Sequence, residues 1–145
     1  MRKTAFNLLV TIVVILATTS NSYSQIFQSR IDIIDEYGFD YKSGITDDGT
    51  KYITYEKEYT SESSGTYTQY KTMYFMESDD GTEFCHYWVI TKPITEVNGA
   101  VRYFKNQFVE VGYLEWKDYE TNILYKVETD DGLCFITAWY DVRNR

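Results

Sequence analysis

The sequence predicts an α+β domain of two layers, an antiparallel sheet of about seven strands with one or two helices packed on one face. Three observations lead there. The chain is rich in residues that suit a half-buried pleated surface, fifteen tyrosines among them. The tripeptide Asp-Asp-Gly recurs three times between extended stretches, at Asp47–Gly49, Asp79–Gly81 and Asp130–Gly132. Only two stretches carry helical spacing of apolar residues. With so few helices, the economical way to bury both sets of apolar positions is to lay helices on one face of a sheet.

The first 24 residues form a segment of their own. Arg2 and Lys3 precede an apolar run, Leu8 to Ala17, and Thr18 to Ser24 are small and polar. That is the three-zone pattern of a cleavable export signal. The run is about half the length a membrane-spanning helix needs. Ser22 and Ser24 suit a cut before Gln25, which leaves a single α+β domain, residues 25–145, in the periplasm or outside the cell. No later run is long and apolar enough to span a membrane.

The first helix is expected after Ser29, a candidate N-cap with Asp32 three residues on. Phe27, Ile31 and Ile34 give its apolar face and Gly38 its stop. The second is expected after Pro93 and Thr95, with the stripe Ile94, Val97, Val101, Phe104 and Phe108. Everything else reads as strand. Asp-Gly tolerates the positive φ a tight turn demands, so each Asp-Asp-Gly marks a hairpin. The last two copies share a longer frame. Tyr74, Glu77, Phe84 and Trp88 match Tyr125, Glu128, Phe135 and Trp139, which predicts two hairpins on one plan. Phe108 to Lys117 reads as one strand, and Tyr59 to Gly65 as an exposed loop. In element order alone the chain resembles small helix-on-sheet domains such as the secretion-chaperone-like group.

Charge and motif content exclude more than they assign. Removing Arg2 and Lys3 takes the formal net charge from −8 to −10. Such a chain is a poor match for nucleic acid, which is bound through clustered Lys and Arg. A protein partner, basic if anything, fits better. Cys85 and Cys134 share alternation parity, and an oxidising compartment makes them disulfide candidates. His86 is the only histidine, and with two cysteines on another face it makes no four-ligand zinc site. The Asp-Asp-Gly spacing lacks the alternating ligands of a calcium loop. No metal or cofactor is expected, and no phosphate loop or nucleophile elbow is present.

The expectation is therefore a non-enzymatic exported binding protein, for instance an inhibitor or immunity-type partner of a basic protein. The alternatives are a small-ligand or lipid carrier, with a cavity between the second helix and the sheet, and a hydrolase working through carboxylates. Binding is placed first on the stretch from Tyr59 to Tyr70, through Tyr59, Glu62, Tyr67 and Tyr70, because tyrosines among Ser, Gly and Thr make adaptable contact surfaces. The face carrying His86 and Trp88 comes next.

Overall fold

The computed structural model describes residues 25–144; the expected export signal, residues 1–24, lies outside them. Eight antiparallel strands form one sheet, in the order β1-β2-β3-β4-β8-β7-β6-β5. They are β1 (Lys42–Ile45), β2 (Lys51–Ser61), β3 (Gly65–Glu77), β4 (Glu83–Pro93), β5 (Val109–Gly112), β6 (Glu115–Asp118), β7 (Ile123–Asp130) and β8 (Leu133–Tyr140). Helix α1 (Arg30–Tyr37) precedes β1, and α2 (Val97–Gln107), entered through a 3₁₀ turn over Ile94–Glu96, precedes β5. The chain is therefore wired twice as one helix followed by four strands. The last strands of the two halves, β4 and β8, lie side by side at the centre of the sheet.

Both helices cover the same face, and the buried residues form one cluster. Alternation puts Ile53, Met73, Phe75, Trp88, Tyr125, Val127, Ile136 and Ala138 on this inner face. Under α2, Phe104 stacks on Trp116 with ring centroids 5.5 Å apart, and Phe108 stacks on Tyr125 at 4.9 Å. Fully burying one such ring contributes about 1.5–3 kcal/mol. Ser29 caps α1, its hydroxyl accepting from the Asp32 amide at 3.1 Å, and Gly38 ends it at φ +94°. The apolar face of α1 differs from the expected one. Ile33 is buried while Ile31 and Phe27 are exposed, because Phe27 precedes the helix at φ +69° and fixes no helical phase. Thr95 does not cap α2 either; its hydroxyl meets that of Ser64 instead.

The sheet has eight strands rather than about seven because Phe108 to Lys117 folds back on itself. Tyr113 and Leu114 lie between β5 and β6, with Leu114 at φ +53°. The expected loop from Tyr59 to Gly65 is also absent. β2 and β3 pair up to Ser61↔Gly65, which leaves only Glu62, Ser63 and Ser64 in the turn. Cross-strand pairing of Tyr59 with Tyr67 and of Thr60 with Thr66 extends the ladder through residues whose composition suggested a loop.

The three Asp-Asp-Gly segments sit between paired strands, but in two geometries. The first and second belong to five-residue connections, where the Thr50 and Thr82 amides donate to Asp48 and Asp80. The neighbouring Ser78 and Thr46 hydroxyls, followed by these Thr82 and Thr50 contacts, hold the Asp80 carboxyl down at about 2 and lower Asp48 as well. The third is a two-residue turn, with Asp131 at φ +45° and Gly132 at φ +76° between the paired Asp130 and Leu133. The two hairpins with matching sequences are thus not on one plan. Tyr74 lies on the outer face, whereas Tyr125 is in the core; Trp88 is in the core, whereas Trp139 lies on the outer face.

Candidate functional site

Among the described residues no α-helix covers the outer face of the sheet; Leu124 and Lys117 are buried there, and the accessible remainder defines the candidate site. In register across all eight strands runs the row Gly44, Tyr52, Tyr74, Tyr87, Trp139, Leu124, Lys117, Val109. Tyr74 and Tyr87 stack with centroids 4.3 Å apart and planes 11° from parallel, and Tyr52 sits 5.8 Å from Tyr74. At the β1 end the Tyr52 phenol lies over Gly44, where a Cβ would collide with it. At the other end, Lys117 is buried against Asp141, Nζ to Oδ2 2.8 Å. That bond and a second from Arg143 hold the Asp141 carboxyl well below the usual range. Alongside runs a more polar row of Thr54, Thr72, Val89, Thr137 and Lys126.

A bulge shapes the centre of this face. Tyr74 pairs with Tyr87 and Phe75 pairs with Cys85, so His86 is an extra residue on β4. A bulge lets two consecutive residues share a side and breaks the alternation beyond it. His86 and Tyr87 both reach the outer face, and Trp88 turns inward, 2% exposed. Strict alternation could not anticipate this, and it grouped His86 with Trp88.

The bulge borders an apolar groove of about 590 Å³ on the outer face, lined by Met76, Phe84, His86, Tyr87, Trp139 and Tyr140, with Phe27 and Val142 at its ends. The segment before α1 helps build it. The Phe27 amide donates to the Cys85 carbonyl at 2.6 Å, and the Phe27 ring packs edge-on to Tyr140 at 5.0 Å. Partial burial lowers the pKa of His86, so the imidazole is neutral at neutral pH. Its ring meets Tyr87 edge-on at 4.6 Å. Among the described residues no cluster of three metal-ligating side chains occurs.

The residues singled out from sequence are dispersed. Tyr59 and Tyr67 stack on the inner side of the β2–β3 hairpin, Tyr70 lies on the outer face, and Glu62 is exposed in the turn. His86 lines the groove and Trp88 belongs to the core. Tyr52, Tyr74 and Trp139 were not singled out for binding. Their signal was the register of three separate strands, which alternation within one strand does not carry.

Cys85 and Cys134 are not bonded; both are buried free thiols. Their shared parity does place them on the same face, and β4 and β8 are neighbours. The register, however, sets Cys134 opposite Lys92, seven residues along β4 from Cys85. That is roughly 20 Å of strand, beyond any disulfide. Burial pushes the Cys85 thiol up to about 12, which leaves it unreactive.

No protein-family model matches the chain, and no curated protein or solved structure matches it significantly.

Proposed function

We propose that this is an exported, non-enzymatic binding protein that docks a basic protein partner on the uncovered face of its sheet. The observation that carries this reading is the unbroken row Tyr52–Tyr74–Tyr87–Trp139, running beside an apolar groove. Aromatic side chains with one polar tip are the usual anchors of protein interfaces, and a groove beside them accepts an apolar side chain from the partner. The strands hold the rings in register, so little conformational freedom is lost on binding.

Charge argues for the sign of the partner. The whole chain carries a net −8, and Asp47 and Asp48 in the β1–β2 turn flank the aromatic row; Glu56 and Glu128, two registers away, are each paired with a lysine, Lys42 and Lys126. Asp48 is close enough to Tyr87 to raise its phenol pKa after the larger effects of burial and Tyr74. A net negative chain with Asp47 and Asp48 beside its apolar centre steers a cationic surface toward it.

The test immobilises the wild-type chain, the double variant Tyr74→Ala/Trp139→Ala, and Tyr113→Ala, an exposed control on the β5–β6 turn. Each is exposed to the proteins of the compartment in which the chain is found. Wild type and control should retain the same basic protein, less of it as salt rises, and the double variant should lose it while keeping a cooperative thermal transition. Equal retention by the folded double variant, or retention indifferent to salt, overturns the reading.

A further inference from the structure

The space beneath α2 is filled by Phe104 and Phe108, but the corresponding region beside α1 is not filled. Beyond the last residue of α1 a cleft of about 620 Å³ opens on the inner face, within the range of small-molecule sites. Tyr37, Tyr55, Tyr59, Gln69, Lys71 and Ile90 are among the residues that line it.

Lys71 is unusual for a strand residue on the inner face. Its ammonium donates to Gln25 Oε1 at 2.6 Å and to the Tyr37 hydroxyl at 3.2 Å. It also sits over the rings of Trp88, 4.9 Å away, and Tyr37, 5.3 Å away. All three partners, Gln25, Tyr37 and Trp88, are neutral. Among the described residues no carboxylate lies within ion-pairing distance, whereas Lys42, Lys117 and Lys126 each have one and Lys51 has two. A third ammonium donor remains. Burial lowers this amine to about 8, so it is still mostly charged at neutral pH but poorly solvated.

We infer that this cleft is a binding site for a small aromatic monoanion, its carboxylate paired with Lys71 and its ring held among Tyr37, Tyr55 and Tyr59. A buried cation with neutral partners gains from an anion, since the ammonium has already lost part of its water. Three tyrosines offer flat apolar surface for a ring. The lining sets the charge of the ligand: with Glu56 paired to Lys42, Glu36 against Lys57 and Lys71 leaves one positive charge over, which suits a monoanion better than a polyanion such as a diphosphate. This site lies on the opposite face from the aromatic row and stands or falls independently of the protein-docking reading.

The probe is naphthalene-1-carboxylate, titrated calorimetrically into the full chain, with 1-naphthamide as the neutral counterpart and pyrophosphate as the polyanion. Wild type should bind one naphthoate, the amide more weakly, and pyrophosphate not measurably. Lys71→Met should weaken naphthoate binding roughly tenfold or more, the loss expected for one charge-assisted contact, while Lys71→Arg retains part of it. Trp139→Ala, in the outer groove, should leave it unchanged. Naphthoate affinity unaltered in a folded Lys71→Met, binding lost in Trp139→Ala, amide and acid bound alike, or no binding by folded wild type each overturns the proposal.

Discussion

The two halves of this chain have the same wiring and different interiors. In the C-terminal half, an eleven-residue helix lays Phe104 over Trp116 and Tyr125, and the rings close the space. In the N-terminal half, an eight-residue helix buries Ile33 completely but stops at Tyr37, short of the end of the β2–β3 hairpin. The long hairpin therefore keeps Lys57, Tyr59 and Gln69 on an inner side beyond α1, where only Tyr37, the last helical residue, reaches Lys71. Equal topology does not imply equal packing. The length of one helix against the strands it covers decides whether a layer becomes core or cleft.

The largest effect expected from this contrast is on stability. Phe104→Ala should cost about 3–5 kcal/mol, because neighbouring rings cannot collapse into the space. Ile33→Ala, in the shorter helix, should cost about 2–4 kcal/mol. Urea unfolding followed by circular dichroism and tryptophan emission should give one shared transition in both variants, since the buried residues form a single cluster. Two separate transitions would show that the halves are independent folding units.

The turns come next. Gly132→Val places a β-branched side chain at φ +76° in a two-residue turn, with a strain of about 2 kcal/mol. The same denaturation measurement checks it. A loss below about 0.5 kcal/mol, the scatter of ordinary surface changes, would mean that the C-terminal turn relaxes as freely as a loop.

The smallest effect sharpens the comparison most, because it reads the N-terminal cleft alone. The Lys71 amine falls from its ordinary 10.5 to about 8 in the folded chain, because burial penalises the charged form. Between those values the unfolded chain binds more protons than the folded one, so this group makes stability rise with pH. Its penalty is fully present below pH 8 and disappears toward pH 10.5. The urea midpoint of Lys71→Met, relative to wild type, should therefore decline as pH climbs from 7.5 to 10. A flat difference across that range would show a well-solvated lysine.

Much of the fold was legible because its signals are local. Ser29 and Gly38 bracket α1, the stripe ending in Phe104 and Phe108 marks α2, and Asp-Gly separates extended runs. The failures share a physical cause, which is register. Whether Asp-Asp-Gly makes a five-residue or a two-residue connection decides which face Tyr74 and Tyr125 take. One extra residue at His86 reverses the faces of everything beyond it on β4. The aromatic row depends on eight strands being aligned, which is a non-local property. The tyrosine-rich stretch from Tyr59 to Tyr70 misled through composition, since Thr60–Thr66 and Tyr59–Tyr67 are good cross-strand pairs whatever their polarity.

The seam between β4 and β8 has a further consequence for ancestry and engineering. Tyr87 pairs with Trp139 and Trp88 with Ala138, so the two halves, wired in the same order, meet antiparallel at the middle of the sheet. A half expressed alone would expose β4 or β8 as an unprotected edge, and the simplest cover for an antiparallel edge is another copy of itself. A homodimer of half-length chains would reproduce the eight-stranded sheet, with one concatenated chain replacing two separate ones. Two halves joined in one chain need not be identical, so one can be sealed while its counterpart keeps an opening.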